Sequence, residues 1–515
     1  MDPGLLVAED LQGPAVFVAV GSKVRGFAAT GHELHGYDRV FATSDIHSYY
    51  PKLVAMMRVL GLIALHPECG TGKDPYDTRL ITDTEWIAEK TLFVICGDLV
   101  DGMRGERTVT DPRGSFEFLM HCFLYNMRIK ARQKGSGVYF TLGNHDVHSV
   151  VNFVRREGES DDAYERRTPN DHATFVTYVA PASLQFFKRP TTTTALGAMN
   201  DRADALIPFY TCAPYLVLTL ASDVMFVHGG LMHAQGGAQS LGMYARAMQT
   251  QLALDRARMP EDRLRVLQDR QHEVSLDVEG STSGSVLWPR TYVRSATSAV
   301  CADASTRRLA EEGFGLVVVG HCVTDSGEVA LEPNWRDQCG DRTDEDSRTG
   351  KGAGCVLMHL CTGHETRGKK ISVALVDTGI SECMYSGGPE TDPLTRATDV
   401  LYLCKDGKFG NAKIEAFGTT GAYKYTRVRV GPHSAAAVPR SGRTSMVRRS
   451  YTPGGNYVAR SSERQYTNAT TVPVAAAERR IAFHNQRAKI ADLRGDVDHA
   501  QRHRAAALGS LGSLK

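Results

Sequence analysis

The chain has 515 residues, 42% hydrophobic and 23% charged, an ordinary composition for a soluble globular protein with a large buried core. It holds no run of 18 or more uncharged apolar residues, which excludes the usual pattern of a membrane span. The opening MDPGLLVAED has no basic n-region and carries Asp2, Glu9 and Asp10, which argues against a secretory signal. An intracellular protein, cytoplasmic or nuclear, is therefore expected. Eleven cysteines are scattered without a C-x-x-C pair, a usage that suits free thiols in a reducing compartment better than a disulfide framework or a zinc module. The net charge of +2 hides an asymmetry: residues 431–515 carry 14 Lys+Arg against 5 Asp+Glu, so an acidic body precedes a basic, Arg-rich tail.

Residues 1–37 read as an N-terminal extension. RVFATSD (39–45) reads as a strand, followed by a helix in SYYPKLVAMMRVLGLI, where Tyr50, Leu53, Val54, Met57 and Leu60 fall at helical spacing. TLFVICGD (91–98) is a second buried strand, SFEFLMHCFLYNMRIKARQKG (115–135) a helix ending at Gly135, and GVYFTLGNHD (137–146) a third strand. YLVLTLASDVMFVHGG (215–230) reads as a hairpin turning at Ser222-Asp223. STRRLAEEG reads as a helix leading into the strand FGLVVVGHC (314–322). CVLMHL (355–360), ISVALVDTGIS (371–381) and DVLYLCKDGKFGNAKIEAF (399–417) form a late all-β stretch of antiparallel strands, the last with a hairpin signal at Asp406-Gly407. Early β/α units followed by late strands predict an α/β arrangement of layers over 38–425.

Three polar regions, 64–90, 155–210 and 332–353, read as insertions or lids. Residues 431–515 have a low-complexity, disordered composition, with a helix pattern at 475–507 on a thin apolar stripe. Their arginines, interspersed with Tyr451, Tyr457 and Tyr466, are of the type that contacts nucleic acid or an acidic partner through charge neutralisation; a plain solvated tail is the simpler reading. GTGK (70–73) lacks P-loop spacing. Cys322 reads as a small buried residue, and His148 and His233 as exposed loop histidines.

The chemistry is concentrated at strand ends. Asp45 and His47 stand two apart after Val40-Phe41-Ala42, a spacing that puts two ligand-type side chains on one side of an extended chain. Four further apolar runs end in the same manner: FVIC before Gly97-Asp98-Leu99-Val100-Asp101, VYFTL before Gly143-Asn144-His145-Asp146, VMFV before His228-Gly229-Gly230, and LVVV before Gly320-His321. Ligands of open α/β sheets bind beyond the carboxyl ends of strands, so five strands that each deliver Asp, Asn or His there mark one site.

This ordered set, D-x-H, G-D-x-x-D, G-N-H-D, H and G-H, resembles the calcineurin-like metallophosphoesterases over roughly residues 38–385. Within them GDLVD, GNHD and HGGL look like the phosphoprotein phosphatases, and LWPRTY (287–292) and VDTGIS (376–381) look most like the Shewanella-like branch. The resemblance implies a central β-sandwich flanked by helices and a serine/threonine protein phosphatase that hydrolyses phosphomonoesters with metal-activated water. It implies two divalent ions, Mn first and Fe or Zn as alternatives, with Asp45 and His47 on the first, Asp98 bridging, and Asn144, His228 and His321 on the second. It further implies that His145 protonates the leaving group while Asp101 holds its other nitrogen, and that Arg290 and Asn144 bind phosphate.

The sequence departs from that pattern where an arginine is expected after Asp101. Gly102 stands there, and Arg104 is the nearest substitute. Asp146 replaces the usual glutamate. Three other readings remain open: a phosphatase or pyrophosphohydrolase of small phosphate esters or dinucleoside polyphosphates, a non-catalytic phosphate-binding module, and a protein whose basic tail, tethering it to nucleic acid, is its main effector.

Overall fold

Short runs of β-branched and aromatic residues form twelve strands that define two mixed sheets of six in the computed structural model. It describes residues 31–66, 79–101, 116–168, 195–212, 214–270, 285–321, 355–361, 370–378 and 398–430. All of these lie in the first of the two compact units into which the chain divides, Met1–Thr444 and Ser445–Lys515. The regions 332–353 and 431–515, with the tail helix and its tyrosines, and Arg104, Gly102 and Cys322 lie outside the described residues.

One sheet contains β2 (Arg39–Thr43), β3 (Thr91–Ile95), β4 (Gly137–Phe140), β10 (Thr398–Cys404), β11 (Gly418–Thr419) and β12 (Lys424–Val430), in the order β11-β12-β10-β2-β3-β4. Strands β2, β3 and β4 run parallel, with Val40 opposite Leu92 and Phe93 opposite Val138. The other sheet contains β1 (Glu33–Leu34), β5 (Val217–Leu220), β6 (Val224–Val227), β7 (Leu316–Val319), β8 (Leu357–Leu360) and β9 (Ser372–Leu375), in the order β1-β5-β6-β7-β9-β8. Its β6 and β7 are parallel. Every residue of β3, β6, β7 and β9 is buried, which is why these strands read as continuous apolar runs and not as alternating patterns.

The helices that frame the site are α1 (Tyr50–Val59), α2 (Phe116–Gln133), α3 (Asn144–Ser149), α4 (Ala195–Cys212), α5 (Gly237–Arg256) and α6 (Ala304–Glu312). Helix α6 starts at Asp303, whose carboxylate accepts the Ser305 N–H at 2.9 Å, a side-chain cap for an otherwise unpaired donor. Strands of both sheets contribute to one continuous apolar core, together with Leu53 and Val54 of α1, Phe123 and Met127 of α2, and Leu206 and Tyr210 of α4.

Three expectations need correction. The late strands are not uniformly antiparallel: β9 lies between β7 and β8 and pairs in parallel with β7, Val373 opposite Val317. Its insertion between two partners buries both its faces, and buried parallel strands carry the same kind of apolar run as any other core strand.

The free-thiol expectation fails at Cys301 and Cys361, which form a disulfide with a Cα–Cα separation of 5.3 Å. The bond joins the helix Thr297–Ala302 to the residue that follows β8. Cys355 is also disulfide-bonded, while Cys96, Cys122, Cys212 and Cys404 are free and buried. Cysteines 60 positions apart are brought into bonding range by tertiary packing, which spacing in the sequence does not reveal.

His148 and His233 are buried and not exposed. His148 lies within α3 with its ring edge-on to Trp288 at 5.3 Å, and His233 Nδ1 accepts the Gln235 N–H at 3.1 Å.

Candidate metal and catalytic site

Five strand ends, three from one sheet and two from the other, deliver the motif residues to one place. Asp45 and His47 follow β2, Asp98 and Asp101 follow β3, and Asn144 opens α3 after β4; His228 follows β6 and His321 follows β7 in the other sheet. Backbone bonds stitch these loops together: Asp45 N–H to Gly97 O (3.0 Å), His47 N–H to Asp98 O (3.0 Å) and Gly320 N–H to His228 O (2.7 Å).

The chain bends sharply to achieve this. Six of the nine non-glycine residues with positive φ among the described residues are Asp45, His47, Ser48, Asp98, Asp101 and His321. Left-handed backbone is unfavourable for residues with a Cβ and persists where the surroundings over-determine it, commonly at functional sites. The close approach also fixes the glycines. A Cβ on Gly143 would collide with the Asp98 carboxylate, and one on Gly97, itself at φ +84°, would lie 2.5 Å from His228 Nδ1.

Two groups of donor atoms, each within 4.8 Å of one another, result: Asp45, His47 and Asp98, and Asp98, His228 and His321. Asp98 belongs to both. His47 Nε2 lies 3.7 Å from Asp45 Oδ1 and 3.7 Å from Asp98 Oδ2. On the other side His228 Nε2 lies 3.5 Å from Asp98 Oδ1 and 2.9 Å from Asn144 Oδ1.

The rings are oriented from behind. His47 Nδ1 donates to Val100 O (2.9 Å) and His228 Nδ1 to Cys96 O (2.7 Å), an arrangement that turns each Nε2 inward, as metal-binding histidines require. His321 Nε2 is buried without a hydrogen-bond partner. A buried imidazole nitrogen left unsatisfied is costly, and a bound cation would satisfy it. Carboxylate, imidazole and amide oxygen donors suit Mn, Fe or Zn.

The field inside the site is strong. Burial pushes Asp98 up, but the neighbouring His228, His145 and His47 rings outweigh it and hold its carboxyl well below the usual range. Burial and the nearby Asp377 carboxylate raise Asp45 well above that range. Burial lowers His228, yet Asp98 and Asp45 overcome it and raise the ring to about 10. His321 is driven well below the usual histidine range by burial and by His228.

His145 lies beside these groups, its ring 5.1 Å from that of His47 and its side chain 12% exposed. Its Nδ1 meets Asp101 Oδ2 at 2.8 Å, and its backbone N–H donates to Asp98 Oδ1 at 2.9 Å. Asp101 is fully buried and also accepts from Ser149 Oγ and from Arg202 Nη2. Arg290 is exposed at the start of the helix Thr291–Arg294, near enough to His321 for its charge to be felt there, and Trp288 places its ring edge-on to His321 at 5.9 Å.

Four supporting residues went unrecognised in the sequence. Asp146 holds the Asp98 loop, taking the N–H groups of Asp98 (2.9 Å) and Gly143 (2.8 Å) on Oδ2, and Leu99 N–H (2.9 Å) and the Tyr210 hydroxyl (2.8 Å) on Oδ1. In the sequence it stands out only as a replacement for the usual glutamate. Asp377, two residues past β9, is fully buried beside Asp45; the apolar run ISVALV before it is the same signal that marked the other strand ends. Glu117 and Arg202 form a buried pair beneath the loops, and only the rarity of fully buried charge could have flagged them, which no local pattern displays.

A calcineurin-like phosphoesterase family model matches residues 38–323, more than half of the chain, and the chain belongs to that family. A search of curated proteins found no match. Solved structures with similarity include a mutant form of a cold-active protein tyrosine phosphatase, at 16% identity over 74% of this chain and 79% of that one with a TM-score of 0.37. They also include the cold-active protein-tyrosine phosphatase of a psychrophilic Shewanella species (14% identity, 79% and 84% covered, TM-score 0.35). A third is a protein serine/threonine phosphatase from Saccharomyces cerevisiae (11% identity, 83% and 90% covered, TM-score 0.32). Among the described residues no helix is long and apolar enough to cross a membrane.

Proposed function

We propose that this member of the family is a two-metal phosphomonoesterase whose substrate is phosphoserine or phosphothreonine in a protein. The observation that carries the reading is the position of Asp98, one buried carboxylate common to two groups of ligand-type atoms. Asp45, His47 and Asp98 would hold one divalent ion, and Asp98, Asn144, His228 and His321 the other, with Mn the first choice and Fe or Zn alternatives. The unsatisfied Nε2 of His321 and the inward-turned rings of His47 and His228 fit that role. When bound, such an ion pair supplies an activated water and neutralises phosphate oxygens.

The chain's own groups do the rest. Asp101 keeps a proton on His145 Nδ1, which leaves Nε2, on the far side of the ring, to donate a proton to the departing alkoxide. Arg290 and Asn144 orient the phosphate, Arg290 through its guanidinium; Arg104 would stand in for the arginine missing at Gly102. A panel of phosphopeptides run beside small phosphate esters and dinucleoside polyphosphates, with each divalent ion in turn, tests the reading. Turnover of phosphoserine and phosphothreonine peptides above the others supports it; preference for nucleotide substrates overturns the substrate assignment.

A further inference from the structure

Beneath the site, Arg202 of α4 and Glu117 of α2 form an ion pair that is buried at both ends. Arg202 Nε lies 2.7 Å from Glu117 Oε2 and its Nη2 lies 2.8 Å from Glu117 Oε1, a two-pronged contact. Nη2 also reaches Asp101 Oδ1 at 2.9 Å, and Nη1 donates to Ser149 O at 2.8 Å. Glu117 Oε1 in turn accepts the backbone N–H of Asp101 (2.9 Å) and the hydroxyl of Ser48 (3.2 Å). One guanidinium therefore touches the carboxylate that orients His145, the last residue of the helix that begins with Asn144, and the glutamate that grips the loops after β2 and β3.

The charge count gives this arrangement a purpose. Two buried carboxylates, Asp101 and Glu117, stand against one buried cation, Arg202. A fully buried charge is tolerated only when paired and hydrogen-bonded. Arg202 supplies the fork that satisfies both carboxylates at once, and the planar guanidinium dictates the angle at which Asp101 is held. Asp101 Oδ1 is taken by Arg202, so Oδ2 is the oxygen turned to His145 Nδ1. Rotation of the carboxylate would lose both bonds together.

We propose that Arg202 is a positioning residue for catalysis: acting through Asp101, it fixes the rotation of the His145 ring and with it the direction of the proton delivered to the leaving group. This rests on the reading of His145 as the proton donor. The step it serves is balanced simply. The P–O bond breaks with its electron pair going to the ester oxygen, which takes the proton from His145 Nε2; water forms the new P–O bond, one of its protons stays on the product phosphate, and the other passes to solvent, from which His145 is reprotonated.

The consequence is selective. A misplaced proton donor slows departure of a basic leaving group and hardly affects one that leaves as a stable anion. The test is a series of aryl phosphates from weakly to strongly basic leaving groups, measured with full-length wild type, Arg202→Lys, Arg202→Met and His145→Asn, each loaded with divalent ion. Arg202→Lys keeps the buried positive charge and loses the fork, so it reads geometry apart from charge. Its kcat is expected to fall about 10- to 100-fold on phenyl phosphate, a part of the about 10²–10⁴-fold that general acid catalysis is worth because the donor is misplaced and not removed, and less than about threefold on 2,4-dinitrophenyl phosphate, with KM and metal content unchanged. Arg202→Met is expected to show the same slope with a larger loss.

An equal loss across the whole series, or no loss, in Arg202→Lys overturns the assignment, because general damage to the fold has no reason to follow leaving-group basicity. His145→Asn separates the two claims. If it steepens the series and Arg202→Lys does not, the role of Arg202 is wrong; if His145→Asn itself leaves the slope unchanged, the reading of His145 is wrong.

Discussion

Asp98 and His228 follow strands of different sheets, yet Asp98 Oδ1 lies 3.5 Å from His228 Nε2, while the second oxygen of the same carboxylate faces His47 at 3.7 Å. That double engagement is what turns two strand-end clusters into one site. Replacing Asp98 by Asn keeps its shape and removes the charge that both clusters share. Metal-dependent hydrolysis of p-nitrophenyl phosphate is expected to vanish in Asp98→Asn while circular dichroism and thermal unfolding show a folded protein. Activity near wild type would contradict the shared-carboxylate account.

His145→Asn should behave differently. His145 is outside both ligand groups, so metal content is expected to be unchanged, and the rate to fall by about 10²–10⁴-fold, the usual worth of general acid–base catalysis. Elemental analysis and steady-state kinetics on one preparation check both halves; loss of metal together with rate would make His145 a ligand instead.

Gly143→Ala tests the packing around Asp98. The added methyl meets the Asp98 carboxylate and its backbone nitrogen, neither of which can yield without moving the loop. Activity is expected to fall at least as far as in His145→Asn, with metal lost as well. Retention of both would show that the loop is softer than its network of bonds to Asp146 implies.

A pH effect follows from His121 of α2. Burial pushes this ring down to about 4 against its carbonyl contact with Glu117, and both nitrogens are engaged, Nδ1 with Glu117 O at 2.6 Å and Nε2 with the Tyr210 hydroxyl at 2.9 Å. A histidine depressed in the folded state stabilises the fold fully above its unfolded value, about 6.5, and that contribution is lost as pH falls toward 4. Asp146, raised to about 6 by burial and Asp98, runs the opposite way, so the informative quantity is the gap between wild type and His121→Gln. Urea midpoints are expected to show that gap shrinking, in favour of the variant, by up to about 3 kcal/mol between pH 6.5 and 4. A constant gap would refute the depressed histidine.

Much of this was legible in the sequence because it is local. D-x-H, G-D-x-x-D, G-N-H-D and the two late histidines each follow an apolar run, and a strand end is a short-range feature; the structure brings all six ligand candidates, with His145 and Asp101, to one place. The hairpin at Ser222-Asp223 was legible for the same reason, since Ala221 and Ser222 adopt the left-handed turn. What escaped was set by tertiary packing. Arg202 lies in a stretch read as an insertion or lid, and nothing about an arginine among Asn200, Asp201 and Asp204 announces that it will be fully buried. The parallel placement of β9 and the Cys301–Cys361 bond depend on which strands become neighbours, which no local pattern encodes.

That disulfide gives its own check. It closes 60 residues of chain, for which loop entropy predicts about 4 kcal/mol of stabilisation. Alkylation of the native protein is expected to spare Cys301 and Cys361 until a reductant is added, with the unfolding midpoint dropping after reduction. Modification of both thiols without reductant would restore the free-thiol reading.

The most direct test of the central claim is the metal content of the purified, ion-loaded chain beside Asp98→Asn. Two equivalents of divalent ion in wild type, a sharp drop in the variant, and hydrolysis that tracks the loading are expected. No bound metal in an active wild type, or an unchanged content in Asp98→Asn, would contradict it.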